Sequence, residues 1–272
     1  MGKAIYQPKG KAGEYAKYAC NFYTGCSNGC TYCYNRKGVF AKTWSDTPKL
    51  KKCFNGDEVE AFATFIAELE QNLPELQKHG LFFSFTTDPL LQDAEVINLT
   101  MLSIRHCVRN DVPVKVLTKS YWWIIFFLDK YSKDILGEEL DRWKEKVAFG
   151  WTLTGHDELE PEASTNEERI RAGFMLKQAG FKVWFSFEPV IDTWKSLHLM
   201  AQTLRFGDLY KVGLESGRKY DKKDIQVFVE ETLRECRNVK IYFKDSLLAQ
   251  AGINRSDLPA NCVGADYNMF NQ

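Results

Sequence analysis

An excess of charge of either sign is what this chain most plainly lacks: 36 Lys and Arg offset 36 Asp and Glu over 272 residues. Proteins built to hold a polyanion carry a basic footprint, so this balance counts against a dedicated DNA or RNA binder. Two local basic runs remain, KLKK at 49–52 and RKYDKK at 218–223, and both read as solvated surface. Long apolar stretches are also missing. The longest, YWWIIFFL at 121–128, falls far short of the ~20 residues that span a bilayer and reads as a buried helix face. Residues 1–18 are polar, with no apolar centre of a secretory leader. The eight cysteines are therefore expected as thiols in the reducing cytoplasm, not as disulfides. Paired histidines are absent as well: none of His79, His106, His156 and His198 lies within four residues of another, which removes the usual Cys2His2 zinc pattern. No repeat, low-complexity tract or linker divides the sequence, so residues 1–272 are expected to form one domain.

What is present is a cysteine-rich loop at 24–36, TGCSNGCTYCYNR, in which Cys26, Cys30 and Cys33 have the spacing C-x3-C-x2-C. A cubane [4Fe–4S] cluster normally takes one thiolate per iron. Three thiolates leave one iron open to a ligand that carries both an amine and a carboxylate. Gly25 and Gly29 allow the backbone to curl around a bulky inorganic core. The alternative use of the same cysteines is a non-catalytic one, either a structural zinc site completed by Cys20 or Cys53 or a cluster that only stores electrons.

With Tyr32 ahead of the last cysteine, the segment resembles the radical S-adenosylmethionine (SAM) superfamily, whose signature is C-x3-C-x-aromatic-C. The longer string Thr-Gly-Cys-x3-Cys-x-Tyr-Cys-Tyr resembles, more narrowly, the spore photoproduct lyase branch. The resemblance implies a [4Fe–4S] cluster on Cys26, Cys30 and Cys33 with SAM at the open iron. It implies reductive cleavage of SAM to methionine and a 5′-deoxyadenosyl radical that abstracts hydrogen from a substrate, and an electron donor such as flavodoxin or ferredoxin. Photoproduct lyases return a hydrogen atom from a cysteine with the help of tyrosines. Tyr32 and Tyr34 match those tyrosines, and Cys53 is the candidate cysteine between the cluster loop and the next strand. Neutral net charge favours a small molecule, peptide or nucleotide as substrate, with nucleic acid kept open in case a local basic groove exists.

Strand-like and helix-like segments alternate, the pattern of βαβ units and a parallel sheet. Strands are predicted over 17–23, 81–86, 114–118, 147–153, 182–187, 209–213 and 240–243, and helices over 57–71, 93–109, 166–179, 194–205 and 223–237. The helix from Asn166 can be capped by Ser164, Thr165 or Asn166 and closed by Gly180. Pattern alone also allows a doubly wound sheet. The resemblance implies a partial (β/α)6 TIM-like barrel. The irregular connection at 35–56 follows the cluster loop directly, and long connections of this kind are usually functional.

In parallel (β/α) folds, ligands meet the residues where strands end. Thr86, Thr87 and Asp88 follow the second strand, where the resemblance places contacts to the SAM amine. Lys119 and Ser120 follow the third and suit the SAM carboxylate, while Thr152 and Thr154 at the end of the fourth share one face and suit the ribose. The stretch from Glu160 to Ser164, ahead of a helix with Arg169 and Arg171, resembles the family's Glu-Pro-x-Ala segment. Val190 and Ile191 sit where the resemblance packs adenine. Glu188, Glu215, Ser216 and Lys244 are the substrate-side candidates, and the tail at about 246–272 is expected to fold over the barrel mouth.

Overall fold

The computed structural model describes residues 3–37, 41–42 and 44–271. The connection expected to be irregular at 35–56 thus includes four positions, 38–40 and 43, outside the described residues. In chain order the strands are β1 (Ile5–Tyr6), β2 (Ala19–Cys20), β3 (Tyr23–Thr24), β4 (Lys49–Leu50), β5 (Leu81–Phe83), β6 (Val114–Thr118), β7 (Val147–Thr152), β8 (Lys182–Val190), β9 (Leu209–Leu214) and β10 (Lys240–Phe243). The helices are α1 (Glu58–Gln71), α2 (Leu73–His79), α3 (Ala94–Arg109), α4 (Trp123–Phe126), α5 (Leu140–Lys146), α6 (Asn166–Gln178), α7 (Thr193–Thr203), α8 (Lys222–Glu235) and α9 (Asp245–Ala251).

Eight strands form one sheet in the order β1-β2-β5-β6-β7-β8-β9-β10, and all neighbours are parallel except β1 and β2. This is the expected α/β partial barrel, with β1 and β10 at its open edges. Strands β3 and β4 form a separate antiparallel ribbon. Parallel strands covered on both faces read as near-continuous apolar runs, and every residue of β7 and β9 is buried. Helices start where the side-chain chemistry allows. Asp57, Asp93, Asp192 and Asp221 accept first-turn N–H groups of α1, α3, α7 and α8, and Thr165 with Glu168 closes a reciprocal capping box on α6.

Strand alternation sends one set of side chains to the helices and the other into the barrel. The inner set forms a small core of Tyr15, Ala19, Phe82, Ala148, Trp184 and Leu209, closed by Met269. Three inward lysines stand above it. Lys115 donates to the Tyr15 carbonyl at 3.0 Å, Lys211 to the carbonyls of Glu14 and Tyr15 at 2.8 and 3.2 Å, and Lys244 to that of Lys11 at 3.3 Å. The segment before β2 is thereby drawn into the barrel.

Three expectations need correction. The tail does not fold over the mouth: Met269 packs with Phe82, Ala148 and Leu209 at the starting ends of the strands, so the tail closes the opposite end. Apolar area is the reason, because Val263, Tyr267, Met269 and Phe270 of the tail pack on the cluster of Phe82, Ala148, Trp184 and Leu209. The run at 121–128 is not one buried face. Trp123, Ile124 and Phe127 are buried, whereas Trp122, Ile125 and Phe126 are 38%, 58% and 53% exposed, since a helix on a sheet turns only one face inward. The strand predicted over 17–23 is two short pieces in different sheets, β2 and β3, because the chain leaves the barrel after Cys20 to carry the cysteine loop.

Candidate functional site

The cysteine loop leaves β3 at Thr24 and is held from three sides. Gly25 has φ +94°, and a Cβ on it would lie 2.3 Å from the Thr47 carbonyl oxygen and 2.7 Å from that of Ser45, so no other residue fits without moving backbone. The Cys26 N–H donates to that same Ser45 carbonyl at 3.1 Å. Gly29, at φ +68°, lies against Pro161, and the Thr31 N–H donates to the Leu159 carbonyl at 3.0 Å. From the sheet side, Tyr34 Oη and Asn35 Nδ2 donate to the Phe85 carbonyl at 2.6 and 2.8 Å.

Asp88 bolts this loop to two strand ends. Its Oδ2 accepts from Asn28 Nδ2 at 2.9 Å and from the Lys119 N–H at 2.7 Å, and its Oδ1 from Thr118 Oγ1 at 2.6 Å and the Leu90 N–H at 3.0 Å. A carboxylate has about four acceptor positions, and protein donors take all of them. Thr86 is likewise occupied, donating to the Tyr23 carbonyl at 2.5 Å. Thr87 differs: its Oγ1 is buried on the cavity wall and has no partner among the described residues.

The loop opens onto a cavity of about 590 Å³ at the C-terminal ends of the strands, and Cys26, Cys30 and Cys33 all line it. Among the described residues no three His, Cys, Asp or Glu side chains converge on one point. Three thiols opening onto one cavity supply three of the four thiolates that a cubane [4Fe–4S] cluster normally takes. Burial pushes the Cys26 thiol up to about 12, and burial also raises Cys30 against the opposing pull of Lys119. Both are poor thiolates until a metal replaces the proton.

Tyr32 and Lys119 line the cavity above a buried polar group. Tyr32 donates to Glu160 Oε1, and Glu160 Oε2 accepts from Arg169 Nη1 at 2.7 Å and from Thr154 Oγ1 at 3.3 Å. Lys119 Nζ lies 3.8 Å from Glu160 Oε1 and 5.7 Å from the centre of the Tyr32 ring. Burial lowers the Lys119 pKa, but the facing Cys30 and Glu160 outweigh it and hold the ammonium above its ordinary value.

The opposite end of the cavity is built by Tyr15, Ser186, Glu188 and Lys244. Lys244 Nζ bonds Glu188 Oε1 at 2.8 Å, and Tyr15 Oη donates to Glu188 Oε2 at 2.5 Å with Ser186 Oγ 2.7 Å away. Burial, then the Glu188 charge, raises Tyr15 well above the ordinary phenol range. Glu215 and Ser216 complete this end.

Five predicted site residues, Cys53, Ser120, Thr154, Val190 and Ile191, do not line the cavity. Cys53 packs half-buried against the main core, where its sulfur serves apolar packing. Ser120 turns its carbonyl to the indole N–H groups of Trp123 and Trp151 at 3.1 and 3.0 Å. Thr154 is buried on Glu160, and Val190 lies wholly within the core. Tyr32, Tyr34, Thr86, Thr87, Asp88, Lys119 and Thr152 do line it, as do all four substrate-side candidates. Sequence reasoning missed the N-terminal wall, in which Tyr6, Lys11 and Tyr15 face the cavity. The one signal available was an aromatic-rich polar segment ahead of the first strand.

Three solved structures of spore photoproduct lyase superpose on 83% of this chain. The complex with dinucleoside spore photoproduct gives a TM-score of 0.53 at 18% identity, a variant with bound AdoMet and dinucleoside spore photoproduct 0.52 at 17%, and a point variant 0.54 at 16%. The chain has the spore photoproduct lyase fold. At this identity the likeness is one of fold, and this chain covers 62% of the length of those lyase chains. Among curated proteins it is 24% identical over 208 residues to a protein of Methanocaldococcus jannaschii described as uncharacterized, covering 72% of this chain and 69% of that one. No protein-family profile matches. Among the described residues, no helix is long and apolar enough to cross a membrane.

Proposed function

We propose that the protein is a radical SAM enzyme, with a [4Fe–4S] cluster on Cys26, Cys30 and Cys33 and SAM in the adjoining cavity. The observation that carries the reading is the opening of all three cysteines of a C-x3-C-x2-C loop onto one cavity at the C-terminal strand ends of a partial barrel. When bound, the cluster and SAM supply reductive cleavage to methionine and a 5′-deoxyadenosyl radical able to take hydrogen from an unactivated C–H bond.

The chain's own residues position and enclose that chemistry. Thr87 Oγ1, without a partner among the described residues, would accept a hydrogen bond from the SAM amine, and Lys119 Nζ, held charged, would pair with the SAM carboxylate. Thr152, on the same cavity wall, would serve the ribose. Tyr32 and Tyr34 are pinned at their hydroxyls to Glu160 and Phe85, which suits them to shaping the wall beside the cluster. The Glu188–Lys244 pair with Tyr15, Glu215 and Ser216 forms the substrate end, where a small molecule, peptide or nucleotide is taken. Its donors and acceptors suit a polar group, while the surrounding apolar wall keeps water away from the reacting carbon. The bound dinucleoside in the lyase of shared fold supports the nucleotide option. Cys53 does not line the cavity, which leaves the hydrogen-returning role unassigned.

The test is anaerobic reconstitution with iron and sulfide, followed by SAM and dithionite, with 5′-deoxyadenosine read by mass spectrometry. Its formation by the native protein and loss in Cys26→Ala is the expected result. A protein that assembles a full cluster but shows no SAM-induced change in the EPR signal of the reduced cluster would be an electron carrier, and the proposal would fall.

A further inference from the structure

A carbon radical formed in the cavity ends its life by taking a hydrogen atom, and among the described residues four tyrosines line that space: Tyr6, Tyr15, Tyr32 and Tyr34. A hydrogen atom leaves along the O–H bond, so the direction of each hydroxyl decides between them. Three are committed to protein acceptors. Tyr15 donates to Glu188 at 2.5 Å, Tyr32 to Glu160, and Tyr34 to the Phe85 carbonyl at 2.6 Å.

Tyr6 differs, and its neighbours fix how. It pairs with Ala19 across β1 and β2, and two residues further on the buried Asn21 places its side-chain amide between Phe85 and Tyr6. The Phe85 N–H donates to Asn21 Oδ1 at 2.7 Å, which determines the end of the amide that carries the oxygen. Asn21 Nδ2 therefore donates to Tyr6 Oη, at 2.6 Å. An amide nitrogen donates and does not accept, so the phenolic hydrogen of Tyr6 turns elsewhere, and it meets no acceptor among the described residues. Burial pushes this phenol up to about 12, which keeps it protonated. The ring is half-buried and packs on the inner core. Phe85 also holds Tyr34 through its carbonyl, which sets Tyr6 on the same wall as the residue that follows Cys33.

We infer that Tyr6 is the hydrogen-atom donor to carbon radicals formed in this cavity. The inference rests on the radical SAM reading and gives the hydrogen-returning role to the N-terminal wall. Among the described residues the cysteines that line the cavity are Cys26, Cys30 and Cys33, and the cluster would take all three. In the step, a C–H bond forms on the radical carbon as the Tyr6 O–H bond breaks, leaving a closed-shell product and a neutral Tyr6 phenoxyl radical. One electron from the reductant that serves the cluster and one proton from water restore the phenol. The transfer runs downhill because a phenolic O–H bond is weaker than an alkyl C–H bond. The indole N–H of Trp44 lines the same cavity and has no partner among the described residues either. Its N–H bond is stronger than the phenolic O–H, so the phenol yields first.

The test needs no substrate. The reconstituted full chain is run in heavy water with SAM and dithionite and without added thiol, so that the 5′-deoxyadenosyl radical is itself the carbon radical and the Tyr6 hydroxyl carries deuterium. The expected product by mass spectrometry is 5′-deoxyadenosine bearing a single solvent deuterium, with that deuterium lost in Tyr6→Phe. Freeze-quenched native protein should show a tyrosyl EPR signal that narrows when ring-deuterated tyrosine is incorporated and that Tyr6→Phe lacks. Iron content and the SAM-induced change in the reduced-cluster EPR signal show that the variant is folded and loaded. Undeuterated 5′-deoxyadenosine from the native protein would overturn the inference whatever the variant does. So would undiminished deuterium in loaded Tyr6→Phe, which would pass the role to Trp44 or another exchangeable group. Either result leaves the enzyme reading in place. A native protein that makes no 5′-deoxyadenosine would sink that reading, and this inference with it.

Discussion

Asn28, in the middle of the first cysteine spacer, donates its side-chain amide to Asp88 at 2.9 Å, and this bond ties the interior of the cysteine loop to the ends of β5 and β6. Asp88 stands where the family resemblance puts a ligand to SAM, yet its two oxygens already receive four protein donors. It acts as a keystone for the loop rather than as a ligand. Asp88→Ala should strand buried donors on both sides and cost about 3 to 5 kcal/mol of stability, with a parallel loss of iron uptake. Urea unfolding and iron analysis check it, and unaltered iron content would show that the loop does not depend on this bolt.

Gly25→Ala places a Cβ 2.3 Å from the Thr47 carbonyl oxygen at a backbone angle that side chains rarely adopt. The loop must move away from 45–47, and Cys26 with it. The expected outcome is native-like far-ultraviolet circular dichroism with cluster content reduced severalfold.

Thr87→Val removes a hydroxyl that bonds nothing among the described residues. Stability should therefore change by less than ~0.5 kcal/mol, whereas SAM affinity should weaken about tenfold, measured by titration of the reconstituted protein. Loss of stability with SAM binding unchanged would mean that the hydroxyl serves the fold.

Lys244 and Glu188 form a mostly buried pair at 2.8 Å. Lys244→Met leaves the carboxylate without its counter-ion and should cost about 3 kcal/mol, most of it recovered when Glu188→Gln is added to the same chain. A double-mutant cycle in urea reads this coupling directly, and additive effects would show that the pair is not coupled.

Burial alone pushes the Lys115 amine down to about 8, against an ordinary value near 10.5. Below pH 8 the folded and unfolded chains both hold the proton, and the fold carries the full cost of a buried ammonium. Between pH 8 and about 10.5 the folded chain gives the proton up first, so stability from this site rises with pH. Lys115→Met lacks that rise. The native protein should gain up to roughly 3 kcal/mol relative to the variant across this window, read from unfolding midpoints at matched pH.

The parts of this protein that were legible in its sequence are those set by near neighbours in the chain. The spacing of Cys26, Cys30 and Cys33, the glycines that let that loop curl, the alternation of β6 to β10 with their helices and the Asp and Thr caps all depend on residues a few positions apart. Strand alternation likewise told which threonines, lysines and carboxylates would stand at the strand ends. What only the tertiary structure decided is which of those groups are free. Asp88 and Thr87 are adjacent, but the carboxylate of one is saturated by donors up to 60 residues away and the hydroxyl of the other has no partner among the described residues. Lys244 meets the Lys11 carbonyl across 233 positions and helps draw the N-terminal segment in as a cavity wall, while Met269 takes the tail to the other end of the barrel. Such contacts are chosen by which buried polar groups still lack partners and which apolar ends still lack cover once the sheet has closed. Those demands do not exist until the strands are side by side.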